Sequence, residues 1–353
     1  MSSASLPQRR LGRTGLRLTV LGFGAAGIGN LYRAIDDETA LSAVDAALDL
    51  GVRYFDTAPH YGFGLSEKRL GRALSRRDGE VLVSTKVGRV LDPVPAYADL
   101  SRPRQGFISP EPVESVFDYS YDGVQRSLEE SLRRLGRDRI ELLLVHDLGV
   151  DTHGAEHTQR FAQFVDGGYR AMREWRDAGL VGAIGMGVNE TAVCTQALAH
   201  ADFDCFLLAG RYTLLEQHAL EHFLPLCAAR GVSLIIGGPF NSGILASGVR
   251  DSPRIAPPPY NYAPAPPAMI ERVRRIETLC DEYGVSLPAA ALQFPLAHPQ
   301  VATVIPGAAD AAQVRQAAAW LQMPIPFAFW QALREHGLLH PEAPLPIHHG
   351  LTA

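Results

Sequence analysis

The sequence predicts an α/β fold, a single (β/α)8 barrel filling residues 1–353, with an N-terminal hairpin, long catalytic-face loops and C-terminal helices. Three observations lead there. Eight short apolar runs recur along the chain, amphipathic stretches of helical length separate them, and polar or titratable residues stand where several runs stop.

Residues 10–20, with Thr14-Gly15 at a turn, read as a hairpin closing the end of the barrel away from the site. The strand-like runs are 19–24, 53–58, 81–87, 140–146, 181–185, 205–210, 232–237 and 303–306. Periodicity does not show whether such a sheet closes, so an open doubly wound sheet is the structural alternative. Residues 39–50 place Leu41, Val44 and Leu48 on one face behind a cap at Asp36 or Asp37, and Ser66 is the expected cap of 67–74. In 122–136, Val124, Leu128, Leu132 and Leu135 share a stripe, Asp122 and Gln125 have capping-box spacing, and Gly136 supplies the stop. Two interruptions, 88–121 and 241–267, exceed the usual loop length of about 15 residues, the second carrying Pro257, Pro258 and Pro259. Both follow strands, so they would rise on the catalytic face as binding loops or serve as padding.

With 46% hydrophobic residues, 353 residues can bury a large core. The net charge of −5, from 33 basic and 38 acidic residues, gives no broad positive field, and no nucleic-acid partner is expected. Cys194, Cys205, Cys227 and Cys280 form no C-x-x-C pair and read as buried thiols in a reducing compartment. No run reaches about 18 uncharged apolar residues, and the start lacks a signal-peptide core. A soluble, cytoplasmic protein without a membrane partner follows, its oligomeric state open.

Gly22-Phe23-Gly24-Ala25-Ala26-Gly27 matches the G-x-G-x-x-G dinucleotide fingerprint. Its context differs, since helical periodicity waits until about Thr39 instead of starting inside the motif. The glycines are better read as letting a barrel loop pass close to a ligand or a neighbouring strand. His153 and His157 have i, i+4 spacing, but 151–159 lacks H-E-x-x-H and a third ligand, and no metal is expected.

The strongest constellation is Asp56-Thr57-Ala58-Pro59-His60-Tyr61-Gly62 at the end of the second run, with Lys86 ending the third and His146 the fourth. Taken singly, Asp56 is a turn cap, Lys86 a snorkelling lysine, Tyr61 a packed aromatic and His146 a structural histidine. On a closed barrel they share one mouth. There Lys86 would lower the Tyr61 pKa from its reference of about 10, Asp56 would hold Lys86 charged, Tyr61 would move the proton and His146 would orient the reacting oxygen.

The run Gly51-Val52-Arg53-Tyr54-Phe55-Asp56-Thr57-Ala58-Pro59-His60-Tyr61-Gly62, followed by Ser66-Glu67, resembles the signature of the aldo-keto reductase superfamily, and Lys86 and His146 complete its tetrad with Asp56 and Tyr61. Ordered matches run from about 11 to 321. The resemblance implies a TIM barrel, a nicotinamide cofactor and direct hydride transfer. Closer resemblance is to the branch containing L-fucose dehydrogenases, D-threo-aldose 1-dehydrogenases and pyridoxal 4-dehydrogenases. It is carried by Leu144-Val145-His146-Asp147, Ala183-Ile184-Gly185-Met186-Gly187-Val188-Asn189, Leu208-Ala209-Gly210-Arg211-Tyr212-Thr213-Leu214-Leu215 and Gly237-Gly238-Pro239-Phe240-Asn241-Ser242-Gly243.

That likeness implies oxidation of an aldose related to L-fucose, D-arabinose or L-galactose at C1 to the aldonolactone, with pyridoxal oxidation as the alternative and a noncatalytic nicotinamide-binding redox sensor as another. Candidate sugar contacts are His60, Tyr61, His146 and Asp147. Implied cofactor contacts are Gly24, Ala25, Ala26, Asp56, Asn189, Gly238, Phe240, Ser242, Ile305, Gly307, Ala308, Gln313 and Gln316. Two departures stand out: Gly187-Val188-Asn189 replaces the usual Ser-Asn pair, and Gly237 stands where many relatives stack a tyrosine on the nicotinamide. Gly307, Ala308 and Gln313 replace the lysine, small hydroxyl residue and arginine of NADP-binding relatives, so NAD is expected over NADP unless Arg315 reaches the 2'-phosphate. Asp310 and Gln313 also have capping-box spacing ahead of the helix that would meet the cofactor's phosphates.

Overall fold

The computed structural model describes residues 6–250 and 257–347. Strands β1 (Gln8–Arg10) and β2 (Arg17–Thr19) pair antiparallel, forming the expected hairpin. Leu11 and Leu18 are fully buried and plug one end of the barrel, packed with Tyr54, Leu142 and Leu144.

The barrel staves are β3 (Phe23–Gly24), β4 (Tyr54–Asp56) and β5 (Leu82–Val87), then, after a hairpin of β6 (Arg89–Pro93) and β7 (Val113–Phe117), β8 (Ile140–His146), β9 (Val181–Val188), β10 (Cys205–Ala209) and β11 (Ser233–Gly237). A two-stranded ribbon, β12 (Pro259–Tyr260) with β13 (Ala263–Pro264), precedes the last stave, β14 (Val301–Ile305). Eight parallel strands run in the order β14-β11-β10-β9-β8-β5-β4-β3. Parallel bridges Leu21↔Val304 and Gly24↔Gly307 join the two edges, so the sheet closes and the open-sheet alternative is set aside.

Inward-facing residues alternate along each stave, as they must in a barrel. Register places Asp56 level with Ser84, Lys86 level with Leu144, and His146 level with Gly187. Asp56, Lys86 and His146 thus lie on the inward rows of Tyr54, Ser84 and Leu144, each one step higher toward the carboxyl ends. Strand β8 is buried along its whole length, covered outside by helices and filled inside by its neighbours.

Both long interruptions rise from the carboxyl ends of staves, and each contains a ribbon where the sequence suggested only loop. Residues 251–256 of the second lie outside the described residues. The glycine-rich segment is no dinucleotide fingerprint: a 3-10 turn (Gly27–Gly29) follows β3, and the first α-helix (Asp37–Asp49) starts later. A Cβ on Gly27 would lie 2.5 Å from the Ala308 carbonyl oxygen, so the glycine serves a close backbone approach.

Asp36 caps that helix by accepting the Thr39 N–H at 2.7 Å. Two caps differ from expectation. Ser66 lies inside helix Leu65–Leu74, whose N-cap is Gly64; its hydroxyl instead donates to the Ala25 carbonyl at 2.8 Å and meets Thr57 Oγ1 at 2.8 Å. Helix Tyr121–Leu135 is capped by Ser120, which accepts the Gly123 N–H at 3.1 Å, leaving Asp122 in the first turn; Gly136 closes it in the left-handed region. All four cysteines are free and buried, and among the described residues no helix is long and apolar enough to cross a membrane. Replacing Ser120 with Ala should lower unfolding stability by about 1 kcal/mol, whereas Asp122→Asn, losing only a dipole contact, should cost about 0.3–0.5 kcal/mol. Denaturant melts of both variants would show the order; equal losses would return the cap to Asp122.

Candidate active site

Lys86 organises the mouth of the barrel. Its ammonium, fully buried, donates to Asp56 Oδ2 at 2.8 Å, to the Thr57 carbonyl at 2.8 Å and to Tyr61 Oη at 3.1 Å. Those are all the donors an ammonium has. Asp56 Oδ1 accepts from Ser84 Oγ at 2.7 Å, and since that proton is committed, Tyr54 Oη donates to Ser84 Oγ at 2.8 Å. Because Tyr61 Oη accepts from Lys86, its own proton is free for a partner in the cavity that Tyr61 lines.

Charge and burial compete here. Burial works against the Lys86 charge, but Asp56 and Tyr61 together outweigh it and raise the lysine's pKa. Burial also dominates at Tyr61, whose hydroxyl is pushed up to about 12 against the lowering effect of Lys86. The expectation that Lys86 brings Tyr61 below 10 is therefore corrected for the free protein, where the residue is a neutral proton donor. Burial, then the positive charges of Lys86 and Arg89, drive His146 well below its ordinary value and keep it neutral. Its contact with Asp147 Oδ2, 3.4 Å from Nε2, is thus a polar contact and not an ion pair, and its buried Nδ1 has no partner among the described residues. Tyr119, buried, bonds the His146 carbonyl at 2.8 Å and fixes the chain on which the imidazole sits.

The predicted residues are brought together around a cavity of about 410 Å³ lined by Ala26, His60, Tyr61, Lys86, His146, Asp147 and Asn189. His60 stacks edge-on against Phe107 with centroids 5.2 Å apart, meets Ser115 Oγ at 2.9 Å, and is pushed down to about 2, by burial first and the charge of Arg89 next. Asp147 is committed to Arg89, 2.7 Å away, whose guanidinium lies 4.0 Å from the centre of the Phe117 ring. Arg89, Phe107 and Tyr262 escaped the sequence reading because they lie within the two interruptions, where neither period nor motif marks them. Tyr262 also hydrogen-bonds Asn189.

The predicted cofactor residues form a second group on the same face. Gly24 bridges Gly307, and the Ala25 N–H bonds the Asp56 carbonyl at 2.9 Å. Gly238, Asn241, Ser242 and Gly243 all have positive φ, of 53°, 46°, 65° and 109°. Such a run is costly for Asn241 and Ser242 and suits backbone donors turned toward an anion. Phe240 packs on Trp320, 5.7 Å away, setting this loop beside helix Ala311–Gln322. Asp310 caps that helix by accepting the Gln313 N–H at 2.9 Å, and Gln313 Oε1 accepts the Ala309 N–H at 2.8 Å, so the capping pair forms one residue out of strict register. Ile305 and Ala308 are buried, Gln316 and Arg315 are exposed, and a Cβ on Gly307 would meet nothing within 4 Å. Open ground at Gly307, the turned loop and a 12-residue helix N-terminus together fit the phosphates of a dinucleotide. His153 and His157 are occupied elsewhere: one meets Tyr119 Oη at 2.9 Å, the other the Leu148 carbonyl at 3.1 Å and Gln196 at 3.0 Å.

The sequence profile of the Aldo/keto reductase family matches residues 20–337. The chain is 44% identical over 342 residues to a pyridoxal 4-dehydrogenase of Microbacterium luteolum, covering 94% of this chain and 98% of that one. It is 40% identical over 329 residues to a D-threo-aldose 1-dehydrogenase of a Pseudomonas species, covering 92% and 96%. In fold it resembles the holo form of an aldo-keto reductase from Bacillus halodurans, with a TM-score of 0.71 at 24% identity over 99% of this chain and 100% of that one.

The histidines set the acid limb of stability. The folded rings of His60 and His146 refuse protons that the unfolded chain accepts below about pH 6.5, so stability should fall as pH drops from 7 to 5. Thermal melts over that range should show the decline, shallower in His60→Asn; identical slopes would show that His60 does not titrate on unfolding.

Proposed function

This chain belongs to the aldo/keto reductase family, whose members use a nicotinamide cofactor, and we propose that it oxidises an aldose at C1 to the aldonolactone, with NAD as hydride acceptor. The observation that carries the reading is the saturation of Lys86, which leaves the Tyr61 oxygen as a proton-transfer atom held against a buried cation and open to the cavity. When bound, the nicotinamide would supply the hydride chemistry; its expected contacts are Gly24, Ala25, Ala26, Asp56, Asn189, Gly238, Phe240, Ser242, Ile305, Gly307, Ala308, Gln313 and Gln316.

The chain's own residues bind, orient and move the proton. As its phenolate, a form that Lys86 stabilises, Tyr61 takes the proton of the anomeric hydroxyl and becomes the neutral phenol; Asp56 keeps Lys86 in place, and the neutral His146 donates a hydrogen bond to the same substrate oxygen. His60 and Asp147 position the sugar's remaining hydroxyls. Likeness to a D-threo-aldose 1-dehydrogenase supports a sugar related to L-fucose, D-arabinose or L-galactose. The 44% identical pyridoxal 4-dehydrogenase, with the aromatic wall of Tyr61 and Phe107, supports pyridoxal as a second reading. The preference for NAD rests on the residues at 307, 308 and 313, none cationic; Arg315, exposed two residues on, is the contact that would serve NADP. A small-molecule enzyme of the cytoplasm, without nucleic-acid or membrane partners, is the setting this reading implies.

Initial rates on an aldose panel and on pyridoxal, each with NAD and with NADP, test the proposal. Aldose turnover with lactone as product and a larger kcat/KM for NAD is expected; pyridoxal turnover without aldose turnover would overturn the substrate, and a larger value with NADP the coenzyme. Tyr61→Phe should lower kcat by about 10²–10⁴-fold, the usual contribution of a positioned acid or base, while coenzyme affinity by fluorescence titration stays near that of the unaltered protein. Undiminished turnover would remove Tyr61 from the chemistry.

A further inference from the structure

Beside the reaction cavity lies a second one of about 260 Å³. The two share Asp147, Val188, Asn189 and Tyr262, so a molecule whose reacting carbon sits at Tyr61 runs past Asp147 directly into the side cavity. We propose that this side cavity is the subsite for a neutral, hydroxyl-bearing substrate tail, and that its charge turns away tails ending in phosphate or carboxylate. The proposal rests on the placement of the reacting carbon at Tyr61.

The remaining polar wall is Asp151, Thr152, Glu190, Arg211 and Asn261. Its parts are fixed in place. Gly149 makes room for Glu190, since a Cβ there would overlap the carboxylate, and Glu190 Oε1 in turn accepts the Asp151 N–H at 3.0 Å. Arg211 Nη1 donates to Asn261 Oδ1 at 3.0 Å. Asp147 holds a φ of 51°, a conformation that side-chain-bearing residues rarely adopt, while Asn261 and Tyr262, with φ of 48° and 63°, are the two turn residues that join β12 to β13. Strain such as that at Asp147 persists where the surrounding structure needs a side chain in one place.

The chemistry of the wall selects the tail. Carboxylates offer acceptors and Arg211 offers donors, and a hydroxyl is both donor and acceptor, so a polyol can satisfy both kinds of group. An apolar tail would strip water from charged groups without replacing its hydrogen bonds. An anionic tail meets three carboxylates, Asp147, Asp151 and Glu190, against one arginine within the cavity. Arg89 offsets Asp147 from outside this cavity, which still leaves the wall negative.

The test compares a neutral substrate that the enzyme turns over with the same molecule phosphorylated at its terminal hydroxyl. For an aldose the pair is the sugar and its terminal phosphate; for pyridoxal it is pyridoxal and its 5'-phosphate. The expected result is a loss of kcat/KM of at least about tenfold for the phosphate ester, carried mostly in KM, given the strength of like-charge repulsion at a partly desolvated wall. The double variant Asp151→Asn, Glu190→Gln keeps the acceptor for the Asp151 N–H and should shrink that discrimination by about threefold or more on the same grounds. Arg211→Met should raise KM for the neutral member of the pair. Equal use of the neutral and phosphorylated members, or discrimination unchanged in the folded double variant, would overturn the proposal. Because each comparison stays within one substrate pair, failure of the aldose reading shows up separately, as turnover of pyridoxal alone.

Discussion

The buried Lys86–Asp56 pair is the constraint on which the mouth of this barrel is built. Two opposite charges at 2.8 Å, both nearly inaccessible to water, are tolerable only if every remaining donor and acceptor is met. The structure meets them through Ser84 and Tyr54 beneath, the Thr57 carbonyl beside, and Tyr61 above. Removing one partner from such a pair strands a charge and costs about 3–5 kcal/mol. The geometry that would hold a proton-transfer group is therefore also what keeps the end of the barrel stable, and neither partner can change alone.

A second constraint follows from the loops. Among the described residues, the non-glycine positions with positive φ are Asn30, Tyr32, Phe63, Gln105, Asp147, Asn241, Ser242, Asn261 and Tyr262, all on segments that leave the carboxyl ends of staves. At about 1–2 kcal/mol each, this is a sizeable local cost concentrated on one face. The staves and helices below carry it with continuous apolar packing, while the opposite end is closed by Leu11 and Leu18 without such strain. Stability and the candidate site are thus assigned to different ends of the barrel.

This division explains what was legible in the sequence. The staves were readable because burial on both faces writes uninterrupted apolar runs, and β8 is read to the residue. Asp56, Lys86 and His146 were readable because each is polar where an apolar run stops, and the fold sets them above Tyr54, Ser84 and Leu144. Closure was not, since it depends on Leu21 and Gly24 meeting Val304 and Gly307 across nearly the whole chain. The caps at Ser66 and Asp122 misled for a local reason: a neighbouring glycine or serine can take the capping position, and the side chain is then free for a tertiary bond, as Ser66 makes to Ala25. Arg89, Asn261 and Tyr262 carry no local signal because their roles are set by partners 20 to 58 residues away, such as Asp147 for Arg89 and Ser242 for Tyr262.

The Tyr61 hydroxyl shows where sequence reasoning about charge needs the fold. From residue types alone, a lysine beside a tyrosine argues for an acidified phenol. In the folded chain the same lysine is neutralised by Asp56, and desolvation, which acts on the phenolate whatever its neighbours, becomes the larger influence. The free protein therefore holds Tyr61 protonated, poised to give a proton as a reductase would. Oxidation would ask the same oxygen to take one, which calls for positive charge beyond that of Lys86 to favour the phenolate. A bound nicotinamide would supply such charge, since its oxidised ring is cationic and its reduced ring neutral. Lys86 and Asp56, whose own charges need not change, would hold the Tyr61 oxygen in one position in either of its protonation states.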